Sequence, residues 1–167
     1  ELKQPVRELA LHGIELELSQ VVLHSKGARH SGTWKAVPAS ETLLLSFKDE
    51  VAADGEAQLE LHWSGKFCPG LRGLYAAGPV AVTQFEAADA RRLFPCFDEP
   101  SFKARWALTL NVPQGMTALA NGEELAHTAS GEWNKVVFKE TPLLSSYLIA
   151  VAVGELVATP MQKVREV

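Results

Sequence analysis

The chain has 167 residues, of which 47% are hydrophobic and 22% are charged, and its formal net charge is −4. This balance is typical of a globular domain, and the length is sufficient for one domain with a sizeable core. The negative charge and the lack of a Lys/Arg cluster exclude the basic surface of a nucleic-acid-binding protein, so no nucleic acid is expected as a partner.

The sequence carries no pattern for membrane insertion. Its longest apolar run, near residues 143–153, is too short to cross a bilayer, and its first residues lack the basic and apolar parts of a signal peptide. We therefore expect no membrane segment. The cytoplasm is favoured, although a cleaved signal peptide would leave the same sequence. The two cysteines, Cys68 and Cys96, are interpreted as reduced thiols, one of them buried.

Alternating apolar and polar residues predict half-buried strands through most of the chain. The clearest stretches, in chain order, are residues 14–19, 43–47, 57–63 and 105–112. Turn signals separate the strands, and Asn121-Gly122 is suited to a tight hairpin. Residues 147–153 are apolar throughout, which predicts a strand covered on both faces. Many short strands at this spacing predict an all-β fold, an antiparallel β-sandwich.

Residues 83–100 interrupt this pattern with a mixture of charges, aromatics and prolines, TQFEAADARRLFPCFDEP. Three alanines predict one short helix near residues 86–93, which Pro95 ends. In a structural interpretation, charged side chains tie down a long loop, and Phe94 and Phe97 enter the core. The charged residues in this interpretation are Asp89, Arg91, Arg92, Asp98 and Glu99.

Gln84 and Glu86 are explained less well by structure alone. They lie two positions apart on a short extended piece, so their side chains are expected to point the same way. A carboxylate is the natural partner of a substrate ammonium group, and a carboxamide can both donate and accept. From chemistry alone, a functional and a structural role for this pair stay equally open.

The sequence lacks the motifs of several catalytic and metal sites. It contains no His-Glu-x-x-His, no Gly-rich phosphate loop and no Gly-x-Ser-x-Gly. The histidines are scattered without ligand spacing, and Cys96 has no histidine near it in sequence. No catalytic residue and no metal ligand are therefore predicted in this chain. The scattered histidines are His12, His24, His30, His62 and His127.

The tryptophans leave a binding-module alternative open. Exposed aromatics on a β-sandwich could form a platform for carbohydrate, from Trp34, Trp63, Trp106 and Trp133. Trp63 and Trp106 follow the apolar register of their strands, so both are expected in the core.

The irregular segment is similar to a family signature. Thr83-Gln84-Phe85-Glu86, Asp89-Ala90-Arg91 and the FPCFDEP stretch at 94–100 resemble the N-terminal domain of zinc aminopeptidases of the aminopeptidase N family. Gly73-Leu74-Tyr75 and the TPLLSSYL stretch at 141–148 resemble further motifs of that family. The similarity covers about residues 5–156, almost the whole chain.

The resemblance implies a saddle-shaped β-sandwich that packs against a thermolysin-like catalytic domain. It also implies that Glu86 holds the α-ammonium of a peptide substrate with a free N-terminus, and that Gln84 lines the pocket for the first side chain. The rest of the signature is mainly architectural in that family.

The family's zinc-binding and catalytic motifs are absent from the sequence. We therefore expect residues 1–167 to be one non-catalytic domain of a larger metalloaminopeptidase. The opening strands and the catalytic domain would be missing, and the zinc would lie in that catalytic domain. The alternatives are a catalytically inactive scaffold homologue and a stand-alone carbohydrate- or protein-binding module.

Overall fold

Strands make up nearly all of the regular structure in the described part of the chain. The computed structural model describes residues 2–52, 55–157 and Thr159. Short 3-10 turns lie at Pro38–Ser40, Ala90–Arg92 and Ser146–Leu148. The strands are β1 Val6–His12, β2 Glu17–Ser25, β3 Ala28–Val37, β4 Thr42–Val51, β5 Ala57–Ser64, β6 Gly73–Ala77, β7 Val80–Gln84, β8 Lys103–Ala104, β9 Thr109–Pro113, β10 Thr117–Ala120, β11 Glu124–Ser130, β12 Trp133–Phe138, β13 Leu144–Ser145 and β14 Val151–Gly154.

The N-terminal strands form a five-stranded antiparallel sheet in the order β1-β4-β3-β2-β5. Leu43, Leu45 and Phe47 of β4 are buried, as the alternation predicts. They pack with Leu11 of the edge strand β1 and Leu23 of β2 in one apolar cluster. These side chains form the buried face of the sheet.

The C-terminal strands form two further main sheets. A four-stranded sheet has the order β10-β14-β7-β6, and a three-stranded sheet has the order β11-β12-β9. Val112, Ala118, Val136 and Phe138, from strands of both sheets, are buried in a shared core. The predicted all-β, antiparallel β-sandwich is therefore confirmed. No helix in the described residues has the length and apolar character needed to cross a membrane.

The hairpin predicted at Asn121-Gly122 is wrong, because β10 pairs with β14 whereas β11 pairs with β12. The dipeptide instead carries the chain from one sheet to the other. The Asn121 carboxamide donates to the carbonyl of Leu148 at 2.9 Å and accepts from the amide of Ala150 at 2.7 Å. Gly122 is required for close approach, since an added Cβ would lie 2.1 Å from the carbonyl oxygen of Lys139.

The strand predicted over residues 147–153 forms only in its second half. β14 begins at Val151, and Ser146–Leu148 form a 3-10 turn. The Ser146 hydroxyl donates to the buried carboxylate of Asp98 at 2.5 Å. This contact with a distant loop holds the first half of the segment away from the ladder, so tertiary structure overrides the local preference.

Candidate functional site

Gln84 and Glu86 lie at the end of β7, where the four-stranded sheet gives way to the irregular segment. β7 ends at Gln84, which is exposed, as is Glu86. Phe85 between them is only 1% exposed. Two exposed polar residues therefore flank one buried apolar residue at this position. The peptide bond between Glu86 and Ala87 is cis.

The carboxamide of Gln84 also contacts the backbone of Glu86. Its Oε1 accepts a hydrogen bond from the Glu86 amide at 3.1 Å. The Nε2 group of this exposed side chain can donate to a ligand. The exposed Glu86 carboxylate can bind a cation. The two outward groups thus offer a ligand one donor and one negative charge.

The short loop that carries Glu86 is fixed at both ends to neighbouring residues. Gln84 pairs with Gly73 in the β6–β7 ladder. Arg72, the residue before Gly73, forms a bidentate ion pair with Asp89, with Nη2–Oδ1 at 2.6 Å and Nε–Oδ2 at 3.1 Å. The amide of Asp89 donates to the carbonyl of Phe85 at 2.9 Å and closes the loop. Glu86 therefore projects from a loop of defined shape.

Asp89 is buried and charged, which requires compensation. Besides Arg72, the Nε of Arg92 donates to Asp89 Oδ1 at 2.8 Å. Burial opposes ionisation of this carboxyl, but the hydrogen bonds from the two arginines outweigh burial, and the pKa of Asp89 lies below its usual value. Arg72 played no part in the sequence interpretation. Its position directly before the Gly73-Leu74-Tyr75 motif was the one available signal.

A second ion-pair network fixes the rest of the segment. The Nε of Arg91 donates to Asp98 Oδ2 at 3.0 Å, and its Nη1 donates to Glu41 at 2.8 Å. The side chains of Arg91 and Asp98 are 10% and 1% exposed. Burial opposes the charge on Arg91, but its contacts with Asp98 and Glu41 prevail and raise its pKa. The amide of Asp98 also donates to His12 Nδ1 at 3.1 Å.

The structural interpretation is confirmed for four of the five charged residues that it named. Asp89, Arg91, Arg92 and Asp98 take part in these networks, as described above. Glu99 is exposed and contributes a backbone hydrogen bond, from the amide of Phe102 to its carbonyl at 3.0 Å.

The short helix predicted near residues 86–93 is a single 3-10 turn at Ala90–Arg92. The local preference for a helix is overridden by tertiary contacts. The side chains of Asp89 and Arg91 form ion pairs with Arg72 and Asp98 outside the turn, and these contacts hold the backbone in a different path.

Aromatic side chains pack against one another within and beside residues 83–100. Phe85 meets the partly buried Phe94 edge to face, with ring centroids 5.8 Å apart, and Phe94 meets Trp106 at 5.3 Å. Phe97, predicted to enter the core, is 49% exposed and stacks on Phe102 at 5.2 Å. Phe97 lies between the buried residues Cys96 and Asp98 on an irregular loop, where spacing in the sequence does not determine which way a side chain points.

Three of the four tryptophans are bound within the fold through their indole N–H groups. Trp34 donates to Leu18 and Trp106 to Leu144. Trp63 was predicted to lie in the core, but it is 42% exposed and donates to the carbonyl of Leu93 at 2.8 Å. Trp133, on β12, is 52% exposed. These separate bonds do not favour a joint carbohydrate platform.

Both cysteines are free and buried. Burial, followed by the charge of Asp98, raises the pKa of the Cys96 thiol to about 12. Cys96 is therefore protonated at neutral pH and is a poor nucleophile. Within the described ranges, no cluster of three or more His, Cys, Asp or Glu residues could hold a metal ion.

Comparison with known proteins gives matches over most of the chain. The family model of the peptidase M1 N-terminal domain matches residues 1–148. Aminopeptidase M1-A of Oryza sativa subsp. japonica is 40% identical over 163 residues, covering 90% of this chain and 18% of that protein. Aminopeptidase N of Homo sapiens is 35% identical over 131 residues, covering 71% of this chain and 14% of that protein. The chain thus spans less than a fifth of the length of these relatives.

Proposed function

The chain belongs to the peptidase M1 N-terminal domain family, and we propose that it is the substrate-recognition domain of a longer zinc-dependent aminopeptidase. In this proposal residues 1–167 form one non-catalytic domain. Its partners are the catalytic domain of the same polypeptide and a peptide with a free N-terminus. The supporting observation is the exposed Glu86 carboxylate on a loop that is fixed at both ends.

In this role Glu86 binds the α-ammonium group of the peptide, and Gln84 contacts the first side chain. A carboxylate on a fixed loop loses little conformational freedom when it binds a cation. Holding the N-terminus of the peptide also aligns its first peptide bond for the reaction. Such a contact selects free N-termini, because an acylated N-terminus carries no positive charge.

The described residues do not fit a zinc site. The histidine–carboxylate pair at His24 and Glu60, 3.1 Å apart, lies in the β2–β5 ladder, remote in sequence from Glu86. Nothing near the proposed site adds further ligands among the residues that the structure describes. In the proposal the metal and the chemical step therefore belong to the catalytic domain, and this chain contributes recognition.

Replacing Glu86 in the full-length protein tests the proposal. For Glu86→Gln, kcat/KM on peptides with a free N-terminus is expected to fall about 10- to 100-fold, the effect of losing one charge-assisted hydrogen bond. Zinc content is expected to stay unchanged. Glu132 is an exposed glutamate in the turn just before β12, and Glu132→Gln is the matched control that should keep full activity.

Two results would contradict the proposal. One is full activity of Glu86→Gln on free N-termini, and the other is stoichiometric zinc bound to the 167-residue chain alone. A full-length protein without aminopeptidase activity would instead favour the inactive scaffold homologue.

A further inference from the structure

The last link between β7 and β14 is made by a side chain. Backbone pairing of the two strands ends at Val82 and Ala152, so the next residues, Thr83 and Val151, lie opposite each other. The amide of Val151 donates to the hydroxyl of Thr83 at 2.8 Å, and this hydroxyl donates to the carbonyl of Val151 at 3.4 Å. One hydroxyl thus exchanges two hydrogen bonds with one residue of β14, as the backbone of a paired strand residue does.

The hydroxyl marks the point at which β7 leaves the sheet on this side. It occupies the position in which a backbone carbonyl and amide of β7 would otherwise pair with Val151. A small cavity of about 130 Å³ opens here, and its lining includes Thr83, Ala150 and Val151. The separation of the two strands therefore begins one position before Gln84.

The β14 side of this link is itself held in place. Val151 pairs with Ala120 of β10 on its other edge. The amide of Ala150 donates to the carboxamide of Asn121 at 2.7 Å. The half-buried Thr83 is thus tied to a segment that has bonds on both sides.

We propose that Thr83 is a positioning residue for the recognition pair Gln84 and Glu86. On the β6 side, Gln84 is held by its strand partner Gly73. On the β14 side, the Thr83 hydroxyl supplies the matching link, and Gln84 is the next residue along the chain. Without the hydroxyl, the end of β7 is tied on one side only, so the pair has more freedom to move. The inference rests on the proposed function for the roles of Gln84 and Glu86.

Thr83→Val in the full-length protein tests this inference, because it keeps the branched shape and removes the hydroxyl. We expect kcat/KM on peptides with a free N-terminus to fall about 3- to 10-fold, the effect of one hydrogen bond. The loss should appear chiefly as a higher KM, since the pair binds the substrate before the chemical step. A general loss of folded protein would lower kcat and leave KM unchanged.

Two further variants make the test specific. Thr83→Ser keeps the hydroxyl and should restore the parent KM. Thr33→Val is the matched control on β3, where it removes a hydroxyl that donates to the carbonyl of Ser46 at 3.5 Å, and its KM should match the parent value. A parent-like KM for Thr83→Val would overturn the inference, and so would a raised KM that Thr83→Ser does not restore.

Hydrogen exchange measured by mass spectrometry separates this inference from the proposed function, because it does not depend on activity. Residues 84–89 should exchange faster in Thr83→Val than in the parent or in Thr83→Ser, by a factor similar to the loss in kcat/KM. Unchanged exchange would overturn the positioning role even if Glu86→Gln loses activity. Full activity of Glu86→Gln would reject the proposed function, and the exchange rates would still decide whether Thr83 fixes the loop.

Discussion

Arg72 binds the carboxylate of Asp89 with two nitrogens, and the next residue after Arg72 is the strand partner of Gln84. Two consecutive residues of the β6 region thus hold both ends of the loop that presents Glu86. A loop held in this way has few accessible shapes, so its carboxylate is preorganised for a ligand. The ion pair is therefore a positioning contact for the proposed site.

Asp89→Asn should destabilise the 167-residue chain in a pH-dependent way. At pH 7 we expect a loss of about 1–3 kcal/mol in the free energy of unfolding, as for hydrogen bonds to a charged group. The pKa of Asp89 is lowered in the folded state, so its stabilising effect is present above the unfolded pKa and is lost as pH falls through the folded pKa. The difference between variant and parent should therefore shrink below about pH 4.

Urea denaturation at pH 7 and pH 3 measures this effect. The exposed Asp49 provides a matched control, and Asp49→Asn should change stability little at either pH. A destabilisation by Asp89→Asn that is as large at pH 3 as at pH 7 would show that the charge is not responsible.

Arg91→Met should be strongly destabilising. The substitution keeps much of the side-chain volume but leaves the Asp98 carboxylate, 1% exposed, without its cationic partner. Removing one partner of a buried ion pair costs about 3–5 kcal/mol. Arg105→Met is the control, because the Arg105–Glu140 pair is solvent-exposed with N–O at 3.9 Å, and such pairs contribute about 0–1 kcal/mol. Similar losses for the two variants in thermal or urea unfolding would contradict the role given to Arg91.

Gly73→Ala should cost more than Gly78→Ala, although both glycines have φ of 61°. Both replacements place an alanine in the left-handed region, at a cost of about 1–2 kcal/mol. Only at Gly73 would the new Cβ lie 2.6 Å from the Cys68 sulfur and 3.1 Å from Arg92 Cβ, whereas Gly78 faces open space. We expect overpacking to add about 1–3 kcal/mol at Gly73. Equal melting temperatures for the two variants would disprove the steric argument.

The two native thiols should resist modification in the folded chain. Cys68 and Cys96 are buried, and burial raises the pKa of Cys96 to about 12. The thiolate of Cys96, which is its reactive form, is therefore scarce at neutral pH, and burial alone shields Cys68 from the reagent. Mass spectrometry after iodoacetamide treatment should show an unmodified folded chain and two modifications after denaturation in urea. Rapid alkylation of the folded chain at pH 7 would contradict the buried positions.

The ion pairs of the site could not be predicted from the sequence, because they join residues that are far apart along the chain. Arg72 and Asp89 are separated by 17 positions, and Glu41 and Arg91 by 50. No local pattern links such residues, because an ion pair depends on where the strands between them travel. The exposure of Trp63 has the same cause. Trp63 lies in register with the apolar residues of its strand, but its indole N–H binds the carbonyl of Leu93, which is distant in sequence.

The sequence by itself determined the strand-rich fold, the family signature and the spacing of Gln84 and Glu86, two positions apart at the end of a strand. These properties depend on periodicity and on neighbouring residues, which the chain carries locally. Only the tertiary structure decided that Asn121-Gly122 links two sheets and that Arg72 fixes the Glu86 loop. Each of these depends on which strands become neighbours, and that choice is made by the packing of the whole core.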